Sequence, residues 1–128
     1  MCVRHGHEPG PETDALSEAG LPVEERLVRT DLHTRDTAQR AAESLLRLPA
    51  SEAPTALFAS QNLITIGAIH ALHLHDLQHL VALVGFDDIE LAGMLDPGVT
   101  VVVQDPYAIG RAAAELLFAR LDGYRGPS

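Results

Sequence analysis

Short apolar runs alternate with segments of helical period along the second half of the chain. Each run is rich in branched side chains and bounded by polar or turn-forming residues, which is typical of buried strands. The predicted strands are residues 55–59, 80–86 and 99–103. In one segment of helical period, Ile66, Ile69 and Leu72 recur along one side. The predicted helices are residues 62–74 and 106–121, the second of them opened by Pro106.

Strand alternating with helix implies an α/β fold built on a parallel sheet, with helices packed on it as layers. The predicted strands are apolar at nearly every position and do not alternate with polar residues. A continuous apolar strand is typical of a parallel sheet covered on both faces. We therefore expect both faces of this sheet to be buried.

The first half of the chain has weaker patterns. Residues 1–12 hold two prolines, two glycines and two histidines without an apolar period, so we expect an irregular or disordered lead-in. The ordered chain is predicted to span residues 13–125. Its first elements are predicted to be a short helix at 13–19, a weak strand at 26–29 and a helix at 36–48. Thr34 or Asp36 can cap the start of the last of these helices, and Pro49 closes it.

Composition limits the class of protein. The chain has 128 residues, enough for one domain, and its 18 acidic residues against nine arginines and no lysine give a net charge of −9. Gripping a nucleic-acid backbone requires clustered positive charge, so this segment is not expected to contact DNA. A single cysteine excludes an internal disulfide, and no apolar stretch resembles a membrane span or a signal peptide. We expect a cytoplasmic location.

Polar residues follow each predicted strand. They are Ser60, Gln61, Asn62, Asp87, Asp88, Gln104 and Asp105. The carboxyl ends of parallel strands meet at one edge, where ligands of such sheets bind. Amides and a carboxylate suit a hydroxyl-rich ligand such as a sugar. The alternative is capping, by Asn62 of the following helix and by Asp87 or Asp88 of the next turn; we favour a ligand for Asp87 and leave Asp88 open.

Two other patterns suggest chemistry less strongly. Four histidines fall close together, at positions 70, 73, 75 and 79, but a zinc site needs a third ligand in fixed geometry beyond the two that share a helix face. The adjacent acids Asp87 and Asp88 could serve metal-dependent phosphoryl transfer, yet the chain has no lysine to assist it. We predict no metal, no cofactor and no catalytic residue.

Two long stretches resemble one known family. They are PTALFASQNLITIGAIHAL and VALVGFDDIELAGMLDPGVTVVVQDPYAIGRAAAELL, which are similar to the C-terminal half of the effector-binding domain of LacI/GalR-family transcriptional regulators. The resemblance implies one lobe of a periplasmic-binding-protein-like fold. In that family a small effector, often a sugar or a nucleobase, binds between two lobes, and a separate helix-turn-helix headpiece reads DNA. The implied effector contacts are Gln61, Asp87, Gln104 and His33. The implied homodimer interface comprises Ile66, His70, Leu91, Met94 and Leu95.

The chain also departs from the family pattern. The helix-turn-helix headpiece and the N-terminal lobe are expected to be absent, and an Arg-x-x-Gly element expected before Gly20 is replaced by HEPGPET. Gln61 replaces a more usual Asn, and the loop HDLQHLVAL lacks the usual Pro-x-Asp turn. One wall of a cleft buries little of a ligand, so we expect weak effector binding by this segment alone.

Three further expectations follow from the resemblance. DNA would be reached only through a headpiece missing here, and no membrane contact is expected. Exposed apolar edges predict self-association beyond a family-type dimer. The rival hypotheses are a sugar-binding protein of a transport system and a small α/β metal-dependent enzyme that uses Asp87 and Asp88.

Overall fold

The computed structural model describes residues 2–3, 11–90 and 92–126. The strands are β1 (Cys2–Val3), β2 (Ala56–Ala59), β3 (Ala82–Phe86) and β4 (Thr100–Val102). The α-helices are α1 (Pro11–Glu18), α2 (Arg35–Leu46), α3 (Asn62–Leu74) and α4 (Pro106–Leu121), with short 3-10 turns at Glu25–Leu27 and Ala92–Met94. The strands form one parallel sheet in the order β1-β2-β3-β4. The predicted α/β parallel-sheet architecture is confirmed.

The core lies where α2 and α3 pack against each other and against β2. One buried cluster joins Ala42 of α2, Leu57 of β2 and Leu72 of α3. The two helices are in closest contact at Gly67, where an added Cβ would lie 2.7 Å from the Cβ of Ala38 and 2.7 Å from a backbone oxygen of α2. Glycine is therefore required there for space between the helices.

The start of α2 is capped by a side chain, as the sequence predicts. Thr34 is the N-cap residue, its hydroxyl accepts the Thr37 N–H at 3.2 Å, and the Thr37 hydroxyl in turn accepts the Thr34 N–H at 3.1 Å. These two bonds satisfy backbone donors that a helix N-terminus otherwise leaves without partners. Of the two predicted caps, Thr34 is the one used.

Three predictions for the fold are wrong in part. Within the expected irregular lead-in, Cys2–Val3 pairs with β2 as an edge strand and a helix begins at Pro11. The expected strand at 26–29 is instead a 3-10 turn over Glu25–Leu27, closed by the Val28 N–H donating to the Glu25 carbonyl at 3.0 Å. The sheet is also not buried on both faces, because Thr100 and Val102 of β4 are exposed.

No helix in the described ranges combines the length and the apolar character that crossing a bilayer requires.

Candidate functional site

The predicted polar positions meet at the carboxyl edge of the sheet. The parallel register aligns Ala59 with Gly85, and Gln61 and Asp87 each follow this aligned pair by two residues. Phe86 is aligned with Val102, and Asp88 and Gln104 each follow that pair by two residues. The shared edge that the sequence predicts is therefore present.

Gln61 is held at this edge by a contact between α3 and β3. Thr65 is fully buried, and its hydroxyl donates to the Gln61 carbonyl at 2.9 Å, as does the Thr65 backbone N–H. An added Cβ at Gly85 would lie 2.7 Å from the Thr65 side chain, so the absence of a side chain there lets the first turn of α3 approach the strand. This contact was not predicted from the sequence, although a glycine inside a strand signals close approach.

The side chain of Gln61 is exposed and does not cap α3, although Gln61 occupies the N-cap position. Asn62, which we considered as that N-cap, is instead the first helical residue. The capping explanation for this polar pair is therefore wrong. Because no side chain caps the start of α3, the first backbone N–H groups of this helix and the exposed Gln61 amide both face the carboxyl edge of the sheet.

Asp87 makes a sharp turn directly after β3. Its φ of 73° lies in the left-handed region, which aspartate tolerates better than most residues do. Its backbone N–H donates to the Val102 carbonyl at 2.8 Å, and its Oδ1 accepts the Asp88 N–H at 3.0 Å. This local bond supports part of the capping interpretation. A carboxylate has about four acceptor sites, so the half-buried side chain keeps acceptor capacity for a ligand.

The two residues of the third polar pair, Gln104 and Asp105, have different roles. Asp105 is the N-cap of α4, with its Oδ1 accepting the Ala108 N–H at 2.9 Å. Gln104, one residue earlier, is exposed at the end of β4. Capping thus accounts for Asp105 but not for Gln104.

His33 lies next to the same edge because its neighbour in sequence, Leu32, is buried there. Leu32 is buried in a cluster with Ala59, the last residue of β2, and Ile64, in the first turn of α3. The exposed His33 therefore follows a residue anchored at the carboxyl end of β2. All four predicted effector positions are grouped around one end of the sheet.

The two weaker alternatives that would use a metal, at the histidines and at Asp87 and Asp88, have no geometric support in the described residues. Over residues 2–3, 11–90 and 92–126, no three His, Cys, Asp or Glu side chains are placed to hold a metal ion together. His73 is engaged locally, with its Nδ1 at 2.9 Å from the Ile69 carbonyl oxygen.

A second polar feature lies away from the carboxyl edge. Arg26 forms ion pairs with Glu24 at 2.7 Å and with Glu52 at 2.6 Å, and its hydrogen bond to Glu24 raises the pKa of the guanidinium above its ordinary value. These residues line a cavity of about 400 Å³ that extends to Thr55 and Ala56, at the amino end of β2. Ligands of parallel sheets bind at the opposite end, so we assign this cavity no role in effector binding.

Comparison with known proteins places the chain in a family. Residues 12–128 match the periplasmic binding protein-like domain. Catabolite control protein A from Priestia megaterium is 36% identical over 117 residues, which are 90% of this chain and 35% of that protein. A regulatory protein of the LacI family from Chloroflexus aggregans superposes with a TM-score of 0.81 at 26% identity, over 99% of this chain and 48% of that one. The chain belongs to the LacI family.

The chain spans about a third of the length of the curated LacI-family relatives and about half of the solved chains. A further LacI-family regulator, from Lactobacillus casei, was solved with bound glucose and has the same fold, with a TM-score of 0.76 at 22% identity over 98% of this chain and 51% of its own. The family resemblance and the periplasmic-binding-protein-like fold predicted from the sequence are both confirmed.

Three of the five residues of the predicted LacI-type dimer interface, at positions 91, 94 and 95, come soon after Asp87 in the sequence. Ile89 and Ala92 are buried against Ile69, and Ile66 and Leu95 pack on that cluster and are half-buried. His70 is exposed, and Met94 is 80% exposed. Leu91 lies outside the described residues.

The residues of the predicted interface therefore fall into two groups, one packed on the core and one exposed. The chain's own core takes up part of the surface of Ile66 and Leu95. Met94 and His70 remain at the surface. A cavity of about 260 Å³ lies nearby, between α3, β3 and residues 97–100, with a mainly apolar lining.

Proposed function

We propose that this chain is the effector-sensing lobe of a LacI-type transcriptional regulator that acts in the cytoplasm. The observation that carries the proposal is the register of the sheet, which brings Gln61, Asp87 and Gln104 to one edge. In the family relatives that have a second lobe, this edge would form one wall of a cleft. DNA binding would belong to a helix-turn-helix headpiece outside these residues.

The chemistry of the edge favours a neutral, hydroxyl-rich effector. Two amides supply both donors and acceptors, and the Asp87 carboxylate can accept hydrogen bonds from vicinal hydroxyl groups. The four effector positions include no arginine or lysine to pair with an anionic effector. The glucose-bound relative from Lactobacillus casei is consistent with a sugar. A single open wall buries a small part of such a ligand, so affinity is expected to be weak, with a Kd on the order of 1 mM.

Replacing Asp87 with asparagine is expected to weaken effector binding about tenfold. Asparagine tolerates the left-handed backbone of this position, so the turn is kept, while a charged hydrogen-bond acceptor is lost. The measurement is a titration of isotope-labelled protein with D-glucose, sucrose and adenosine, followed by amide chemical shifts. We expect the ligand that binds to move the resonances of Gln61, Asp87 and Gln104.

Asp76→Asn is the matched control for this titration. Asp76 is also an aspartate with positive φ, 56°, but it is exposed and follows the carboxyl end of α3, away from Gln61. Its replacement should leave the titration unchanged. Equal loss in the two variants, or shifts confined to other parts of the chain, would refute the effector site.

The second part of the proposal is a homodimer that uses the turn containing Met94. Met94→Asp is expected to weaken this association by about 100-fold or more, because a carboxylate at a two-fold contact must be desolvated beside its own copy. Sedimentation velocity should show the mass of the assembly fall by half. Leu80→Asp is the control, since Leu80 is 74% exposed and lies before β3, outside the predicted interface. Association that survives Met94→Asp unchanged would exclude this surface.

A further inference from the structure

A cavity beside the amino end of β2 has the composition of a binding site for a small molecule. It measures about 400 Å³ and lies between residues 16–28 and residues 51–56. Ligand cavities in proteins typically measure roughly 300–1,000 Å³ and combine apolar walls with a few polar groups. This cavity has both the size and the mixture of side chains.

The position of the cavity separates it from the effector edge. It reaches Thr55 and Ala56, where β2 begins, whereas Gln61 and Asp87 follow the carboxyl ends of β2 and β3. A second lobe that closes a cleft over the effector edge would lie at the far end of the strands from this cavity. The site therefore does not need that lobe to be complete, since the chain described supplies its walls.

The floor of the cavity, formed by its least exposed lining residues, is apolar. Pro54 is buried, and Leu16, Leu27, Val28 and Ala53 are half-buried. A ligand that covered these side chains would remove further apolar surface from water, which is favourable in proportion to the area covered. The floor therefore favours a ligand with an apolar body.

The rim of the cavity carries an excess of negative charge. Arg26 pairs with Glu24 at 2.7 Å and with Glu52 at 2.6 Å, so one guanidinium faces two carboxylates. Both contacts use the Oε2 atom of the glutamate, and a carboxylate has about four acceptor sites, so each keeps capacity for a further donor. The three side chains are 44% to 49% exposed, so a ligand can reach them.

We propose that this cavity binds a small organic amine, with its apolar body on the floor and its ammonium group between Glu24 and Glu52. An ammonium group supplies three N–H donors and balances the excess negative charge. An anionic ligand would be repelled by both glutamates, and Arg26 is already paired with them. The sequence contains no lysine, so no side chain of this chain or of a second copy can supply the ammonium group.

Three probes with one apolar body test the preference for charge. Phenethylamine, phenethyl alcohol and phenylacetate share a phenyl ring and differ in a head group that is cationic, neutral or anionic. Each is titrated into the isotope-labelled 128-residue chain and followed by amide chemical shifts. We expect the amine to bind with a Kd on the order of 1 mM, about tenfold more tightly than the alcohol, and phenylacetate to bind most weakly. The shifts should fall in residues 16–28 and 51–56 and not at Gln61 or Asp87, whatever ligand the effector edge binds.

Glu52→Gln tests the carboxylate directly. It should weaken binding of phenethylamine about tenfold and leave binding of the alcohol unchanged, because only the cation loses a charged partner. Retained binding of the alcohol shows that the cavity is intact in this variant. Glu25→Gln is the matched control, since Glu25 is exposed and lies next to Glu24 in the same 3-10 turn but does not line the cavity. It changes the net charge equally and should leave binding of the amine unchanged.

Leu21→Ser tests the apolar part of the site. Leu21 lines the cavity and is 54% exposed, so its replacement should not disturb the core. We expect the amine and the alcohol to lose affinity alike, by about threefold, because both bury the same phenyl ring. Equal binding of the amine, the alcohol and the anion would overturn the proposal. So would shifts confined to the effector edge, or an equal loss of amine binding in Glu52→Gln and Glu25→Gln.

Discussion

Gly67→Ala is expected to lower the free energy of unfolding by about 2 kcal/mol, although alanine is the better helix former. The new Cβ would lie 2.7 Å from the Ala38 Cβ, 2.7 Å from the Arg35 carbonyl oxygen and 2.8 Å from the Gln39 nitrogen. Two of these three atoms belong to the backbone of α2, which no side-chain rotation can move away. Separating α2 from α3 loosens the core between them, and this cost exceeds the roughly 1 kcal/mol that alanine contributes inside a helix.

The matched control has the opposite sign. Gly110 also lies inside a helix, but an added Cβ there meets no atom within 4 Å. Gly110→Ala should therefore leave stability unchanged or raise it by up to about 1 kcal/mol. Urea denaturation of dilute protein, followed by circular dichroism, measures both. A Gly67→Ala protein as stable as the wild type would show that α2 and α3 are not in the close contact described.

Helices were predicted from the sequence more accurately than any other element. The predicted bounds of α3 and α4 agree with the structure to the residue, and α2 differs by one or two residues at each end. The signals are local: a period of apolar residues, a threonine that caps, and Pro106 in a first turn. Local signals are sufficient because most helix hydrogen bonds join residues four apart.

The elements predicted wrongly depend on distant partners. Cys2–Val3 is a strand only because it pairs with Phe58 and Ala59 of β2, and two residues have no period to detect. The turn at Glu25–Leu27 is held in part by Arg26, which binds Glu52 across 26 positions of sequence. Propensity along the chain contains no information about either contact.

The candidate site was predicted in position but not in detail. Polar residues after apolar strands are sufficient to place Gln61, Asp87 and Gln104 at one edge, since parallel strands end together. The left-handed turn at Asp87 and the contact of Thr65 with Gly85 were not predicted, because both depend on how β3 meets β4 and α3. The role of Asp105 as a helix cap could be read locally, and capping was correctly kept as an alternative.

The prediction of a sheet covered on both faces failed for an informative reason. An apolar pattern in β4 and α4 shows which side chains favour burial, but it does not show whether the same chain supplies the cover. Val102, Tyr107 and Leu121 are 48%, 86% and 73% exposed. The prediction therefore failed because the part of the chain that the structure describes does not cover the apolar surface of β4 and α4.

Gly85→Ala is the second change expected to have a large effect, and it connects packing to the effector edge. The added Cβ would lie 2.7 Å from both Cγ2 and Oγ1 of Thr65, a side chain with no exposed surface. We expect a loss of about 2 kcal/mol in unfolding free energy, with the first turn of α3 displaced from β3. Because Gln61 lies in that turn and Asp87 follows two residues after Gly85, effector binding should weaken as well.

Thr65→Ala tests whether the effect of Gly85→Ala operates through this contact. Alone it should cost about 1–2 kcal/mol, since it removes a buried methyl group and one of two hydrogen bonds to the Gln61 carbonyl. In the double variant the new methyl group occupies the space of the lost side chain, and its remaining contact, 3.3 Å from the Thr65 Cβ, needs only a small shift. The double variant should be about as stable as Thr65→Ala alone and should recover effector binding. Strictly additive losses would show instead that Gly85 is required by the strand itself.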